Sequence, residues 1–398
     1  MAFTYPVKWV TNTMRGAPQI SGTAGTFIAA LDAFLNTGWG SANAISVSVS
    51  GGVGTAEFPE GVFFEDHAVV LFGGATTPAA LNGEARVLSH TNKSITFETD
   101  APDGVATTGT TITCRYAPVG NWSKPFVGTN KAAFKSSDVQ GSGHYLRIDD
   151  SGTMTARVVG YETMTDVDTG AGPFPTAAML SGGGYVHKST LASAAAVRYA
   201  MAADSRAVLW GVEAGSHNST VNRISNVRGF GDPLPMAPSG DVWSTFLSAN
   251  GSANNSALNT GALSGGATSS TGGLCCSPRA FAAVGAAQLM TVVPFTGGAT
   301  AVSGADGFGG VAPSAVDGQI KLARVFLKEQ SAGSPPRCTV PGVLYVPQSG
   351  VAAFFAPGDT LVGSGDWAAR RLLAVGTGDS AVVPVTGIAF VDLTGPWR

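Results

Sequence analysis

Hydrophobic and polar residues alternate with a period of two on both sides of a short polar segment near the middle of the chain. Leu146 and Ile148 alternate with polar or aromatic neighbours before this segment, and Ala156 and Val158 do so after it. This period places apolar side chains on one face of a strand. The intervening Asp-Asp-Ser-Gly sequence has the short polar side chains and the glycine that tight turns favour. The pattern predicts a β-hairpin over residues 145–160, with its second strand starting at residue 153.

Four carboxylates lie in or just after this hairpin, namely Asp149, Asp150, Asp166 and Asp168. Such a cluster raises the hypotheses of a calcium site or a glycosidase. A calcium-binding EF-hand loop needs oxygen ligands at fixed offsets around a glycine and a closing glutamate. The spacing does not match, so we interpret these aspartates as turn-capping residues at the edge of a sheet.

One short helix is predicted near the N-terminus. Phe27, Leu31, Phe34 and Leu35 recur at the spacing of one helical face, and Gly38 follows where a C-cap is expected. The glycines before the helix lack the Lys-Ser/Thr pair of a phosphate-binding loop and the preceding strand of a dinucleotide-binding unit. Residues 1–43 are therefore expected to form an arm and a short helix.

The rest of the chain continues the strand-like alternation, with frequent turn signals. Residues 44–118 predict a small inserted β-domain of the sandwich or barrel type. Residues 119–335 predict a central β-rich domain, and residues 336–398 a C-terminal β segment packed on it. Residues 249–273 are of low complexity and nearly free of large apolar groups, which predicts a flexible, exposed loop. The predicted fold class is mainly β, a multi-domain β-sandwich/barrel architecture with one short N-terminal helix and long loops.

Composition and charge narrow the range of functions. Only 12% of residues are charged and 54 of 398 are glycine, which favours short strands and surfaces that pack against other subunits. The net charge is −3 and the basic residues are dispersed, so we expect no nucleic-acid binding. The sequence contains no run of eighteen apolar residues, so no membrane span is predicted. The first residues lack the pattern of a secretory signal, so we expect synthesis in the cytoplasm.

No motif of a known active site is present in the sequence. Ser142 and His144 lie in one glycine-rich turn, whereas a catalytic triad is assembled from distant segments. The acids of a glycosidase can lie anywhere in a chain, so that enzyme class stays a hypothesis without positive support. We expect no enzymatic activity, no catalytic residue, no cofactor and no metal. The four cysteines lack disulfide-framework or zinc spacing and are predicted to be buried thiols: Cys114, Cys275, Cys276 and Cys338.

Three blocks of the sequence resemble a family of uncharacterised tailed-phage and prophage virion proteins. The first is VKWVTNTMRGAPQISGTAGTFIAALDAFLNTGWG, with its Gly-Ala-Pro, Ser-Gly-Thr-Ala-Gly and Leu-Asp-Ala elements. The second is the hairpin YLRIDDSGTMTARVVGYETMTDVDTGAGPFP, and the third is LTGPWR at the C-terminus. The blocks lie at the start, middle and end, so the resemblance spans nearly the whole chain. The resemblance implies a virion structural protein of the tail tip or baseplate. It implies no catalytic residue in this chain.

The resulting hypothesis is a structural subunit of a tailed-bacteriophage virion, located in the tail and acting by symmetric packing. Its expected partners are other tail or baseplate proteins and itself, as a trimer or hexamer. The alternatives are a receptor- or glycan-binding tail protein that takes part in host attachment, a capsid decoration or head protein, and a tail enzyme with two carboxylates in one cleft.

Aromatic residues dominate interface hot spots, so several are candidate interface anchors, although those near the two ends of the chain are equally well explained as core residues. The candidates are Phe3, Tyr5, Trp9, Phe230 and Trp397. For glycan binding, the candidate segments are the loop predicted around Phe230 and residues 249–273.

Overall fold

The computed structural model describes residues 3–106, 112–236, 245–254, 258–259, 261–267, 273–293, 300–330 and 333–398. Within these ranges the chain is mainly β, with one short α-helix and large antiparallel sheets, which confirms the predicted fold class at that level.

The elements are numbered in chain order. The first third contains β1 (Lys8–Thr11), β2 (Ile20–Ser21), α1 (Thr26–Asp32), a π-helical turn (Ala33–Thr37), β3 (Trp39–Asn43), β4 (Ser46–Ser50), β5 (Val53–Glu57), β6 (Val69–Gly73), a 3-10 turn (Ala79–Leu81), β7 (Gly83–His90), β8 (Ser94–Glu98), β9 (Gly104–Val105) and β10 (Thr113–Tyr116). The middle contains β11 (Trp122–Gly128), β12 (Lys131–Ser136), β13 (Tyr145–Asp149), β14 (Thr155–Met164), β15 (Gly170–Phe174), β16 (Gly184–His187), β17 (Ala196–Ala203), β18 (Ala207–Glu213), β19 (Arg228–Gly231), β20 (Leu234–Pro235) and β21 (Phe246–Asn250). The last third contains β22 (Gly265–Ala267), β23 (Gly273–Ser277), β24 (Gln288–Val293), β25 (Thr300–Val302), β26 (Ala323–Glu329), β27 (Pro336–Tyr345), a 3-10 turn (Val351–Ala353), β28 (Thr360–Val362), a 3-10 turn (Gly365–Trp367), β29 (Arg371–Thr377) and β30 (Gly387–Asp392).

Eight consecutive strands form a sheet of their own, in the order β3-β10-β6-β7-β8-β5-β4-β9. This sheet corresponds to the segment for which an inserted β-domain is predicted, but it begins at Trp39, directly after the helical turn. Its aromatic core includes Trp39 stacked on Tyr116, with ring centroids 5.0 Å apart. The same hydrophobic cluster continues into the hairpin region through residues such as Phe134 and Trp210, so the sheet does not have a separate core.

A second, larger sheet contains most of the remaining strands. Antiparallel pairing runs continuously through β1, β17, β18, β19, β21, β23, β24, β26, β27, β30, β29 and β28. Strand β21 also contacts β16, which joins it to β14, β13, β12 and β11. The segment 336–398 is therefore part of the same sheet as the strands before it, because its first strand, β27, pairs with β26.

The central hairpin forms as predicted. β13 and β14 pair antiparallel, with Leu146 opposite Gly160 and Ile148 opposite Val158. Leu146, Ile148, Ala156 and Val158 are all fully buried. The turn is two residues longer than expected, because β14 begins at Thr155.

The N-terminal helix also forms as predicted, with its apolar face of Phe27, Leu31, Phe34 and Leu35 fully buried. Gly38, at φ 72°, ends the π-helical turn that extends it. The four cysteines are buried thiols, in agreement with the prediction.

One segment that is predicted to be exposed is buried at several positions instead. Ala249 and Asn250 belong to the buried strand β21, and Leu258 and Leu263 are core residues, so the expectation of an exposed loop over 249–273 is wrong for these positions. Ala249 and Asn250 are buried because β21 pairs with β19 on one side and with β23 on the other. Residues 255–257, 260 and 268–272 of that segment lie outside the described part of the chain.

Candidate functional site

A cavity of about 390 Å³ lies where the N-terminal strand and β17–β18 meet β28–β29. Its polar lining includes Asn12, Glu65, Arg198, Glu213, Arg223 and Ser225. Its apolar lining includes Trp9, Pro357, Leu373 and Val375. Ligand-binding pockets have volumes of about 300–1,000 Å³, so this cavity is large enough for a small molecule.

Strand pairing positions one wall of the cavity. β1 pairs with β17, and Asn12 just beyond β1 donates its backbone N–H to the Tyr199 carbonyl at 3.2 Å. β17 in turn pairs with β18, where Arg198 and Glu213 are direct cross-strand partners. The facing wall comes from β29, and the Ser225 N–H donates to the Gly376 carbonyl at 3.1 Å. The walls are thus held by backbone ladders.

Glu213 is held in place by Arg223. The Arg223 Nε donates to Glu213 Oε2 at 2.8 Å, and Nη2 donates to Oε1 at 3.1 Å, which is the bidentate geometry of a strong ion pair. Burial raises the pKa of the Glu213 carboxyl, and the hydrogen bonds from Arg223 counteract part of that rise. Both oxygens of this carboxylate therefore already have a fixed partner.

Glu65 reaches the cavity from the eight-stranded sheet region. The Tyr116 hydroxyl donates a hydrogen bond to Glu65 Oε2. Burial raises the pKa of the Glu65 carboxyl, and the hydrogen bond from Tyr116 opposes this rise. The cavity is therefore lined by residues of the larger sheet and by the loop that precedes β6 of the eight-stranded sheet.

The cavity contains two carboxylates, which is one requirement of the hypothesis of a glycoside-degrading enzyme. Each carboxylate, however, accepts hydrogen bonds from its own fixed partner, Arg223 for Glu213 and Tyr116 for Glu65. The lining also balances two arginines against two glutamates, and it combines hydrogen-bond donors with acceptors beside an indole ring. This arrangement is suited to binding a polar molecule.

A second polar network contains the Ser142 and His144 noted in the sequence. Ser142 Oγ donates to Asp232 Oδ1 at 2.6 Å, while His144 Nδ1 lies 2.7 Å from Thr245 Oγ1. In a catalytic triad the serine donates to the histidine and the histidine to the acid. Here Thr245 lies between His144 and Ser142, so the connectivity differs from that of a triad.

The five aromatic interface candidates have different environments. Phe3 is 46% exposed, and Trp9 is partly buried beside the cavity. Tyr5, Phe230 and Trp397 are buried in the core of the chain itself, which for Tyr5 and Trp397 is the alternative environment that the sequence leaves open.

Two of these burials have a clear structural cause. Phe230 lies in the central strand β19 and stacks on Phe174, so the predicted exposed loop around it does not exist. The Trp397 Nε1 donates to the Asp392 carbonyl at 3.1 Å.

No motif in the sequence indicates that Glu65, Arg198, Glu213 and Arg223 belong to one site. For Glu213 the signal in the sequence is a charged residue at the end of an otherwise apolar strand, because charged side chains are seldom buried unless they are paired. That signal does not indicate which distant segments meet.

Among the described residues, no group of three or more histidine, cysteine or acidic side chains is arranged to hold a metal ion. No helix in the described ranges is long and apolar enough to cross a membrane. No known family model matches the chain, and no curated protein sequence matches it.

Proposed function

We propose that the chain is a structural subunit of a tailed-bacteriophage virion, in the tail tip or baseplate, that acts by packing against copies of itself and other tail proteins. The resemblance of its start, middle and end to virion proteins supports this assignment. The structural observation that carries it is an exposed apolar surface on two joined loops.

These loops, residues 304–312 and 346–354, are named here the apolar loop pair. Backbone hydrogen bonds join them, from the Gly304 N–H to the Val346 carbonyl and from the Ala312 N–H to the Ser349 carbonyl, each at 2.9 Å. The loops carry Phe308, Val311 and Phe354, which are 55%, 66% and 58% exposed. Large apolar side chains that stay exposed on joined loops are candidates for coverage by another protein.

Cryo-electron microscopy of intact particles tests the location. We expect density for the chain in a ring or trimer at the distal end of the tail, with the apolar loop pair in a subunit contact. Density on the head shell would favour the decoration hypothesis instead, and absence from the particle would contradict the proposal.

The double substitution Phe308→Ser and Phe354→Ser tests the surface. Truncating buried interface aromatics typically weakens association more than about tenfold, so we expect that loss in sedimentation or in incorporation into particles. Because both side chains are exposed, the melting temperature of the isolated chain should not change. The control is Val105→Ser. Val105 is 71% exposed and lies on β9 of the eight-stranded sheet, away from the apolar loop pair in sequence. Equal effects of the two variants would argue against this surface.

A receptor- or glycan-binding role within the same particle is the second candidate. The cavity with its polar lining and the indole of Trp9 favours this role specifically. The two roles are compatible, because the cavity and the apolar loop pair have different residues.

A further inference from the structure

We propose that the cavity binds one uncharged saccharide unit. The inference relies on the proposed virion role only for the origin of the sugar, a glycan of the host surface. The capacity to bind a saccharide follows from the lining of the cavity.

The charges of the lining exclude strongly charged ligands. An anion such as phosphate would face Glu65 and Glu213, and a cation would face Arg198 and Arg223. Glu213 and Arg223 already neutralise each other through two hydrogen bonds of 2.8 and 3.1 Å. A charged ligand loses its hydration on entering the cavity, and a lining whose charges balance offers no excess of opposite charge to compensate that loss, so the site favours a neutral molecule.

The polar groups of the lining match the hydroxyl groups of a sugar. A hydroxyl donates one hydrogen bond and accepts others, so a row of hydroxyls needs donors and acceptors side by side. Arg198 and Asn12 provide donors, whereas the two carboxylates provide acceptors. Arg198 donates from Nη1 to the Ser219 carbonyl at 3.3 Å, which fixes the guanidinium beside the cavity.

The apolar part of the lining matches the C–H face of a sugar ring. Trp9 lies on the paired strand β1, and its Nε1 donates to the His67 carbonyl at 3.4 Å, so the indole is held in position. Leu373 and Val375 line the same cavity from β29. A pocket with pre-formed walls avoids the entropy cost of ordering them on binding.

Titration of the intact chain with saccharides tests the proposal. The probes are the methyl glycosides of glucose, galactose, mannose and N-acetylglucosamine, each followed by calorimetry or ligand-observed NMR up to tens of millimolar. Glucuronate and inorganic phosphate serve as anionic probes. We expect saturable binding of at least one neutral glycoside and much weaker binding of both anions.

Two variants block the cavity from different parts of its lining. Thr360→Trp on β28 and Thr13→Trp in the N-terminal segment each place an indole at an exposed position of the lining. We expect more than about a tenfold loss of affinity in each, with unchanged melting temperature. The matched control is Val362→Trp, which is 64% exposed, two residues further along the same strand and outside the lining. It should bind as the unmodified chain does.

Three results would overturn the inference: no binding of any neutral glycoside, tighter binding of the anions, or binding that survives both blocking variants. A chain found in the tail that binds no sugar would refute this inference alone. A chain that binds sugar but is absent from particles would refute the virion role alone.

Discussion

At the scale of single residues, the most constrained pair of charges is Asp150 with Lys188. Both side chains are fully buried and form a salt bridge. Asp150 Oδ2 accepts the N–H groups of Phe27 and Ile28 at 2.8 and 3.2 Å, which satisfies the first turn of α1. Burial raises the pKa of the Asp150 carboxyl and lowers the pKa of the Lys188 ammonium, and the pairing opposes both changes.

The substitution Lys188→Met should destabilise the chain by about 3–5 kcal/mol, because it leaves a buried carboxylate without its cation. Equilibrium denaturation in urea measures this change in the free energy of unfolding. A loss below about 1 kcal/mol would show that Asp150 accommodates its charge without Lys188.

The double variant Asp150→Asn, Lys188→Met separates charge from packing. An asparagine oxygen can still accept the N–H groups of α1, and no buried charge remains. We therefore expect the double variant to be more stable than Lys188→Met alone. Additive losses would indicate that the two residues act independently.

The sequence could not predict this pair. Asp150 occupies a turn-favouring position, so its sequence context predicts turn capping. For Asp149 and Asp166 that prediction is correct, because their carboxylates accept the N–H groups of Ser151 and Asp168. The partners of Asp150 are distant in sequence, more than 120 residues away in the case of α1. Local turn preferences carry no information about such contacts.

At the scale of elements, alternation identified strands wherever one face is buried, as in β13. The short strand β15, in contrast, is rich in glycine and proline, residues that local propensity assigns to turns. It forms because its residues pair with the end of β14, with Gly160 opposite Phe174. Strand pairing overrides local propensity here.

Gly160 should tolerate no side chain, because an added Cβ would overlap the ring of Phe174. We expect Gly160→Ala to destabilise the chain by about 1–3 kcal/mol through overpacking, measured as a lower melting temperature. The control is Gly73→Ala on β6, where the nearest atom to an added Cβ is Thr113 Oγ1 at 3.4 Å. Similar losses in both variants would mean that strand glycines are costly to replace regardless of Phe174.

At the scale of the whole molecule, segments distant in sequence share one framework. Length and composition predict several domains, yet one hydrophobic cluster extends from the helix through the eight-stranded sheet to the hairpin region. The alternation of apolar and polar residues along a strand identifies which face of the strand is buried. It does not identify the other strands that this face packs against. The cavity illustrates the same limit, since its lining comes from residues 9–13, 65, 198–225 and 357–375.

The C-terminal segment is part of this framework, which gives a direct test of the aromatic candidates. Trp397 packs into the space left by Gly342, and Arg398 Nε donates to Asp204 Oδ2 at 2.6 Å. Trp397→Ala should therefore lower the free energy of unfolding of the isolated chain by about 3–5 kcal/mol, as expected for a truncated core aromatic.

Phe3→Ala is the matched comparison, because Phe3 is exposed and its truncation should change stability by less than about 0.5 kcal/mol. If Phe3 anchors a neighbouring subunit, this variant should reduce incorporation into particles while the isolated chain melts normally. The opposite pattern, a stable Trp397→Ala chain that fails to assemble, would mean that the C-terminus detaches from its own core to reach a partner. Comparing denaturation with assembly for the two variants thus distinguishes residues that fold the subunit from residues that join it to others.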